Sequence, residues 1–565
     1  MIFSLMNVIL NYMGIKQKNK NMLLQGSILA LAGIITKIIG FVYRIPMANM
    51  LGAEGNGIYS VAFGIYNVVL TLSSYSLPLV ISKLVSTRLA KNEYNNSYKV
   101  FKNAFKLAVV VGIVAALCLY FGSGMIEKIY DTPGLNKPLK VMAPTVFVVA
   151  LVGVFRGYFQ GCSTMLPTAI SQIIEQIANA IVSVLAIWIV IISYSSSKDV
   201  ASYGAAGGTV GTFVGAFMAL LFLSFLFVIY KSKLKKQIRI DKTTYVESNN
   251  KLYRLLLITI LPIVFSQTIF QIAYTLDDFI FSNIMSLKGM THEVRVSLQG
   301  VFNLQYTLLI NVPIAIATAM AVSIIPNIVT LKVQGKIKEV QHEISTVIKF
   351  VMAIAFPSSV GFAVLAKQLM PLLFPSLKAY NTVAVNLLMF GSFAIVFYSL
   401  STITSAVLQG LDFMKVPVVN AAISLVIHVV LVSVLLYITD LGVYALLIGD
   451  ITFPLMVSIL NWISVKKHIG YRQEITKTFM IPLSSSAVMG VGTFAMYKLA
   501  HWVINVNVIE VVIAIIFGVV IYGFMILLLH YFSEEELYNF PMGNKLVIVE
   551  RKFEKYMNTF SDHKR

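Results

Sequence analysis

Apolar residues in this chain come in blocks of about twenty, separated by shorter segments that carry most of the charged residues. A helix of about 20 apolar residues is long enough to cross a hydrocarbon core of about 30 Å. The pattern therefore predicts an all-α polytopic membrane protein with about fourteen transmembrane helices. The predicted spans are 22–48, 57–85, 107–123, 141–161, 167–193, 204–230, 255–285, 297–331, 350–366, 383–409, 417–438, 443–464, 479–500 and 509–531.

Composition and charge agree with a membrane protein. Of the 565 residues, 58% are hydrophobic and only 12% are charged. Most of the 44 lysine and arginine residues fall in alternate connecting segments, beginning with the segment before residue 22. Because cytoplasmic loops are enriched in basic residues, this alternation predicts that both termini are cytoplasmic. The net charge of +20 is then a signal of topology and does not indicate nucleic-acid binding.

A weak internal repeat divides the chain. The basic run KSKLKKQIRIDK, residues 231–242, separates a six-span front part from an eight-span back part. The sequence FRGYFQG from Phe155 aligns with TSAVLQG from Thr404, and a proline follows soon after each. Two repeats with the same orientation predict two pseudo-symmetric six-helix lobes with a ligand site between them. The predicted parts are a cytoplasmic tail (1–21), an N-lobe (22–230), a basic linker (231–254), a C-lobe (255–465), an extra helix pair (466–531) and a cytoplasmic amphipathic tail (532–565).

The first predicted span contains two cations, Lys37 and Arg44, in the stretch TKIIGFVYRIP. Residues seven apart lie on one face of a helix, about 10 Å from each other. A charge near the middle of a membrane helix costs about 2.5 kcal/mol or more, so this face should meet a polar cavity or an anionic ligand. Arg44, which lies nearer the outer end, could instead reach the membrane surface by snorkelling. For Lys83 and Arg156, snorkelling is the favoured interpretation, and the alternative is a basic cytoplasmic mouth.

The fifth predicted span contains a polar stripe. Gln172, Glu175, Gln176 and Asn179 recur at helical spacing and should share one helix face. One interpretation is interhelical hydrogen bonding. The other is a functional ion pair between Glu175 and Lys37, from which substrate would displace the carboxylate.

Two adjacent acids, Asp277 and Asp278, lie in the seventh predicted span. Adjacent helical residues point about 100° apart, so one carboxylate can face a cavity while the other packs against a neighbour. The alternative is a structural pair capped by hydroxyl or amide groups. Asp450 and His428 stand alone in the sequence, and a direct role is not favoured for either.

Motifs for enzymatic chemistry were not found. The chain has no G-x-x-x-x-G-K-[S/T] sequence for ATP and no HExxH or cysteine/histidine metal cluster. The predicted outer loops are short, which argues against an integral-membrane glycosyltransferase or polymerase. Energy for transport would then come from an ion gradient or from the membrane potential.

Four stretches of the sequence resemble a known superfamily of membrane exporters. They are TKIIGFVYRIPMANMLGAEGNGIYSVAFGIYN (36–67), LPLVISKLVS (77–86), FRGYFQGCSTMLPTAISQIIEQIAN (155–179) and SEEELYNFPMGNKL (533–546). They resemble the multidrug/oligosaccharidyl-lipid/polysaccharide exporter superfamily. More narrowly, they are similar to its polysaccharide-biosynthesis branch, which includes stage V sporulation protein B-like proteins and MurJ-type lipid II flippases of Gram-positive bacteria.

This resemblance implies a transporter and not an enzyme. The expected activity is a flippase in the bacterial plasma membrane that moves an undecaprenyl-pyrophosphate-linked cell-wall precursor to the outer leaflet. Lipid II is the best single substrate. The alternatives are another lipid-linked polysaccharide unit or a drug/cation antiporter. The expected partners are the undecaprenyl-linked lipid, membrane lipids and cell-wall synthesis proteins, without nucleic acid or ATP.

The resemblance also implies a V-shaped pair of lobes around a cationic central cavity for pyrophosphate, and a lipid-tail groove formed by the last two helices. Lys37 falls where MurJ-type proteins have an arginine in the first helix, and Arg44 lies one residue beyond their second. Their acidic residue after this helix falls near Gly57, and Glu54 is the nearest carboxylate. The implied substrate-binding residues are Lys37, Arg44, Glu54, Lys83, Arg156, Glu175, Gln176 and Asn179.

Two features of MurJ-type proteins bear on phosphate binding and ion coupling. Their arginines in the second and eighth spans fall near Leu70 and Leu308 here, which are neutral, so the arginine set is incomplete. Some of them bind Na⁺ through a seventh-span aspartate and polar residues of the eleventh span. The corresponding coupling residues would be Asp277, Asp278, Asn420 and Ser424, with Na⁺ or H⁺ as the coupling ion and Asp277 as the Na⁺ ligand. No other cofactor is expected.

Overall fold

The structure is a computed structural model. It describes residues 22–241, 243, 245–533, 536, 547–548 and 551. The predicted N-terminal tail and most of the predicted C-terminal amphipathic tail lie outside these residues.

The described part of the chain is built from α-helices and contains no β-strand. The helices are α1 (Met22–Ser73), α2 (Leu77–Ala90), α3 (Tyr94–Ile129), α4 (Asn136–Gly161), α5 (Leu166–Ser193), α6 (Val200–Arg239), α7 (Asn249–Leu287), α8 (His292–Gly300), α9 (Thr307–Val333), α10 (Ile337–Leu373), α11 (Asn381–Gly391), α12 (Ala394–Gly410), α13 (Lys415–Ile438), α14 (Val443–Ile469), α15 (Ile481–Val503) and α16 (Asn507–Leu528). Short π-helices at Val301–Tyr306 and Thr476–Met480 and a 3₁₀-helix at Pro375–Tyr380 complete the set.

Eleven helical segments of the described chain are long and apolar enough to cross a membrane. The number rises to twelve if the bent pair Pro375–Gly391 and Ala394–Gly410 forms one span. One segment, Leu31–Ala90, covers most of the first predicted span and all of the second, because the helices run on with only a short break. The all-α, multi-pass membrane fold is therefore confirmed. The total of fourteen spans is not confirmed by this count and stays a prediction.

Helix α1 is two helices joined by a kink at Gly52. Gly52 has φ 68° and ψ −177°, a backbone conformation that only glycine adopts without strain. Across the kink, the Asn56 side chain donates a hydrogen bond of 2.8 Å to the Ala48 carbonyl oxygen. This bond satisfies a buried carbonyl that the kink would otherwise leave without a helical partner.

The chain forms two compact units. The first comprises residues up to Gln305 together with Ser376–Tyr380 and Val432–Leu446. The second comprises Tyr306–Pro375, Asn381–Leu431 and the chain from Leu447 onward. The division along the chain falls inside the π-helix that precedes α9.

Aromatic and small residues hold the helices of the first unit in place. Phe101 of α3 packs against Tyr158 of α4 and Phe227 of α6, with ring centroids 4.9 and 4.5 Å away. A Cβ atom at Gly215 of α6 would lie 2.5 Å from the carbonyl oxygen of Glu175 in α5, so these two helices approach closely. The packing fixes the positions of α4 and α5, which carry Arg156 and the polar stripe.

Candidate functional site

An ion pair joins α4 to α5 in the first unit. Arg156 Nη2 donates to Glu175 Oε2 at 2.6 Å, and Arg156 Nε donates to Ser171 Oγ at 2.9 Å. The Arg156 side chain is 14% exposed and that of Glu175 is 30% exposed, so solvent screens the pair only partly. The predicted pair between Lys37 and Glu175 is wrong in this structure, because Arg156 occupies the Glu175 carboxylate. The Arg156 guanidinium therefore contacts α5, and its predicted snorkelling or role at a cytoplasmic mouth stays a prediction.

The polar stripe of α5 divides between two neighbouring helices. Glu175 contacts α4, as described, while Gln176 and Asn179 face α1. The Gln176 amide nitrogen lies 3.0 Å from where a Cβ of Gly40 would stand, and the Asn179 amide donates to the Tyr43 hydroxyl at 3.3 Å. Residues of α5 thus contact the same stretch of α1 that contains the two predicted cations.

Arg44 and Lys37 are the two cations of the predicted cationic face of α1. The Arg44 guanidinium carbon lies 5.6 Å from the centre of the Phe63 ring, and its Nε is buried without a hydrogen-bond partner in the described chain. Lys37 is exposed, and it forms no ion pair with any residue that the structure describes. A guanidinium can bind phosphate with two parallel hydrogen bonds, and an ammonium can bind it as a point charge. This face can therefore bind an anion.

Two predicted substrate-binding residues, Lys83 and Glu54, do not belong to the hydrogen-bond network of Arg156 and Glu175. Lys83 of α2 is exposed, and only its backbone carbonyl accepts hydrogen bonds, from Ser86 and Thr87. Glu54 lies beside the Gly52 kink and lines a separate cleft. Within the described residues, no side-chain hydrogen bond links either of them to Arg156 or Glu175.

Asp278 is a buried carboxylate held by amide groups. It is 5% exposed, and its Oδ1 accepts hydrogen bonds from Asn303 at 2.6 Å and Gln299 at 3.4 Å. Gln299 also donates to the Asp278 backbone carbonyl at 3.0 Å. Neither amide was predicted as a partner of Asp278, although their spacing of four residues on one predicted span was an available signal. Asp277, which precedes this carboxylate, is half-buried.

Asn420 belongs to a polar network in the second unit. Its amide donates to Asn461 Oδ1 at 2.9 Å and to Ser464 Oγ at 3.2 Å. Asn461 in turn donates to Ser405 Oγ at 2.9 Å, and the Ser424 hydroxyl donates to the Asn420 carbonyl at 2.8 Å. The network connects α12, α13 and α14. The predicted role of Asn420 and Ser424 in ion coupling stays a prediction.

Asp450 is not isolated in the structure, although it stands alone in the sequence. The hydroxyl groups of Tyr306 and Tyr398 donate to its two carboxylate oxygens at 2.8 and 2.7 Å. His428 Nδ1 lies 3.2 Å from the carbonyl oxygen of the adjacent Gly449. These tyrosines come from distant parts of the chain, so no local pattern could have indicated them.

The described residues contain no group of three or more histidine, cysteine, aspartate or glutamate side chains placed to hold a metal ion. A Na⁺ site here would need amide or carbonyl oxygens beside a carboxylate, which are ligands that hard cations accept. Asp278 provides the carboxylate, and the side-chain oxygens of Gln299 and Asn303 lie on amides that already contact it. Both amides donate N–H groups to this carboxylate, so a proton can bind there directly, while a hard cation would need the amide oxygens turned toward it.

The fold and these sites define a multi-pass helical membrane protein with charged side chains inside its bundle. Residues 23–332 match the family described as polysaccharide biosynthesis protein, and the chain belongs to that family. It is 27% identical to the lipid II flippase MurJ of Bacillus subtilis strain 168, over 86% of this chain and 89% of the relative. It is 24% identical to stage V sporulation protein B of the same strain, over 94% of this chain and 99% of the relative.

Solved structures show the same fold. A lipid II flippase MurJ in an inward closed conformation superposes with a TM-score of 0.63 at 15% identity, covering 88% of this chain and 98% of that structure. An inward-facing multidrug resistance transporter of the MATE family superposes with a TM-score of 0.62 at 15% identity, covering 77% and 94%. These structural neighbours are transporters, not enzymes.

Proposed function

We propose that this protein is a flippase that moves an undecaprenyl-pyrophosphate-linked cell-wall precursor, with lipid II as the best single substrate, from the inner to the outer leaflet. Family membership and the flippase relative support this assignment. The observation that carries it is Arg44, a guanidinium inside a membrane helix bundle whose Nε has no hydrogen-bond partner in the described chain. A membrane bundle accommodates such a charge when an anionic ligand compensates for it.

The pyrophosphate group would bind between α1 and α4. Lys37 and Arg44 present positive charge from α1, and Arg156 presents it from α4. In the structure, Glu175 neutralises Arg156 at 2.6 Å. An arriving pyrophosphate competes with this carboxylate for the guanidinium, so binding of the substrate releases Glu175. The release can link occupancy of the site to a rearrangement of α5.

Coupling to an ion would occur at Asp278. Burial disfavours the charged form of the Asp278 carboxylate, while two amide donors favour it. Because these effects oppose each other, binding of a proton or Na⁺ changes the charge of the site. Movement of one charge across the membrane provides about 2.3 kcal/mol per 100 mV. Asp277, Asn420 and Ser424 are retained as candidate coupling residues, with alternating access as the transport mechanism.

The proposed membrane orientation follows the basic loops, with both termini cytoplasmic in a bacterial plasma membrane. The helix pair α15 and α16 would provide the groove for the lipid tail. Its exposed apolar side chains include Trp502 and Val519, at 87% and 65% exposure, which suits contact with lipid. Membrane lipids and cell-wall synthesis proteins are the expected surroundings.

Complementation of a bacterial strain depleted of its lipid II flippase tests the proposal. We expect this protein to restore growth and to restore exposure of lipid II on the outer leaflet, measured directly by labelling. Lys367→Gln, a change at an exposed residue outside the site, should behave as the unaltered protein does. Growth without lipid II exposure, or no growth together with no lipid II exposure, would assign the protein to another lipid-linked precursor.

The structural likeness to a multidrug transporter makes a drug/cation antiporter the second candidate. Uptake and release of a fluorescent cationic dye by proteoliposomes separates the two functions. We expect no gradient-driven dye transport. Dye transport by proteoliposomes that requires Asp278, together with no lipid II exposure in cells, would favour the antiporter.

A further inference from the structure

A cleft of about 370 Å³ lies beside the kink of α1 in the first unit. This volume falls in the range of small-ligand sites. The cleft is lined by residues 50–54 of α1, the first turn of α6, the start of α8 and residues 376–380. In the predicted topology all four segments lie on the outer side of the membrane, away from the ends of α4 and α5 that carry Arg156 and Glu175.

Charged side chains of both signs face this cleft. Glu54 and Glu293 contribute two carboxylates, which lie close enough to repel each other, and Lys378 contributes an ammonium. None of the three forms an ion pair with another residue that the structure describes. Glu293 and Lys378 are exposed and Glu54 is half-buried, so these charges are open to a ligand that enters from solution.

A buried hydroxyl in the same cleft also lacks a partner. Ser297 lines the cleft, is only 2% exposed, and makes no side-chain hydrogen bond with any described residue. Because Ser297 lines the cleft, a ligand there can donate to its hydroxyl or accept from it. The opposite wall is held in place, because the Ser376 hydroxyl donates to Asn49 Oδ1 of α1 at 3.0 Å.

We infer that this cleft binds a zwitterionic amino-acid or peptide group, with its ammonium on Glu54 and Glu293 and its carboxylate on Lys378. A bare metal cation fits poorly because Lys378 would repel it and the described residues provide no third acidic or histidine ligand. A simple anion fits poorly because it would face two carboxylates. A group that carries both charges satisfies all three side chains.

Two sources could supply this chemistry. One is a free peptide outside the cell, and the other is the peptide part of a lipid-linked cell-wall precursor that has reached the outer leaflet. Only the second source rests on the proposed flippase function. Binding by the cleft and transport by the protein are therefore measured separately.

Isothermal titration of the full-length protein in lipid nanodiscs tests the inference with three probes. Glycylglycine carries both charges, N-acetylglycylglycine lacks the ammonium, and glycylglycinamide lacks the carboxylate. We expect glycylglycine to bind at least ~10-fold more tightly than either analogue, because each lost charge removes one charge-assisted contact. Equal binding of the three probes, or no binding of glycylglycine at millimolar concentration, would overturn the inference.

Two variants assign the charges to residues. Glu293→Gln should weaken glycylglycine binding by ~10-fold and leave N-acetylglycylglycine unchanged. Lys378→Met should abolish the difference between glycylglycine and glycylglycinamide. The matched controls, Glu474→Gln and Lys367→Met, alter exposed charges elsewhere and should change none of the affinities. If neither Glu293→Gln nor Lys378→Met has its expected effect while the thermal unfolding midpoint is unchanged, the cleft is not the binding site.

Competition identifies the source of the group. Displacement of glycylglycine by a precursor lipid that bears a peptide, but not by one that lacks it, makes the cleft a subsite for the transported lipid. Retention of glycylglycine in the presence of both lipids makes it a site for free peptide. Either result keeps the zwitterion site, and lipid II exposure in cells reports on flippase activity independently.

Discussion

Replacement of Glu175 by glutamine separates the two roles that the Arg156–Glu175 pair could have. The variant keeps the size and hydrogen-bonding capacity of the side chain but removes its charge. If the carboxylate competes with substrate for Arg156, its neutralisation makes the guanidinium more available. If the pair only stabilises the bundle, the same change weakens the structure and adds nothing to binding.

The structure sets the expected magnitude. The pair is short, at 2.6 Å, and both side chains are less than one-third exposed. A charge-assisted hydrogen bond in such a setting contributes about 1.5–3 kcal/mol, which corresponds to a factor of about 10–150 in affinity. We therefore expect Glu175→Gln to bind undecaprenyl pyrophosphate at least ~10-fold more tightly. Transport should slow, because tighter binding delays release.

The assay is equilibrium binding of undecaprenyl pyrophosphate to purified protein, paired with lipid II exposure in cells. Arg156→Gln should lose affinity, and the double variant should resemble Arg156→Gln, since Glu175 acts through Arg156. Ser171→Ala, which removes only a neutral partner of Arg156, is the matched control and should change affinity less than ~5-fold. Unchanged or weaker binding by a Glu175→Gln protein with an unchanged unfolding midpoint would refute the reasoning.

Three further predictions concern other parts of the chain. Asp278→Asn should leave substrate binding within ~3-fold but remove the dependence of transport on the ion gradient, measured in proteoliposomes with and without an imposed gradient. Asn461→Leu should lower the thermal unfolding midpoint, since it leaves several buried partners without hydrogen bonds at about 1–3 kcal/mol each; an unchanged midpoint would contradict it. Burial of Glu536 favours its neutral form, but hydrogen bonds from Lys349 and Ser533 outweigh this and hold its pKa below the ordinary value of 4.5. The Lys349–Glu536 contact should therefore be complete above about pH 4.5 and be lost as the pH falls through the lowered pKa of Glu536. Glu536→Gln should expose the tail to protease at neutral pH. Equal cleavage of the variant and the unaltered protein would count against the contact.

Local patterns along the chain were enough to predict the class of fold. Apolar blocks of membrane-spanning length predicted a multi-pass helical protein, because the cost of placing polar residues in lipid acts on each segment separately. The helix cap at the start of the C-terminal tail also depends on a local sequence pattern. Ser533 and Glu536 form the reciprocal hydrogen bonds of a capping box, in which a serine is followed three residues later by a glutamate.

Contacts between helices needed the tertiary structure. The spacing in α5 placed Glu175 on a polar stripe, yet which cation it meets depends on the rotation and height of the neighbouring helices. Those quantities come from side-chain packing over the whole bundle, such as the close approach of α5 and α6 at Gly215. As a result, Arg156, and not Lys37, lies within hydrogen-bond distance of Glu175.

The same reason explains the partners that were missed. The amides on Asp278 and the tyrosines on Asp450 are brought to these carboxylates only by folding. The sequence by itself determined the class, a multi-pass helical membrane protein, and which charged residues are costly in its apolar segments, since both follow from the chemistry of short segments. The tertiary structure alone decided how those residues are neutralised, because a hydrogen bond or ion pair forms only where packing brings two distant side chains within about 3 Å.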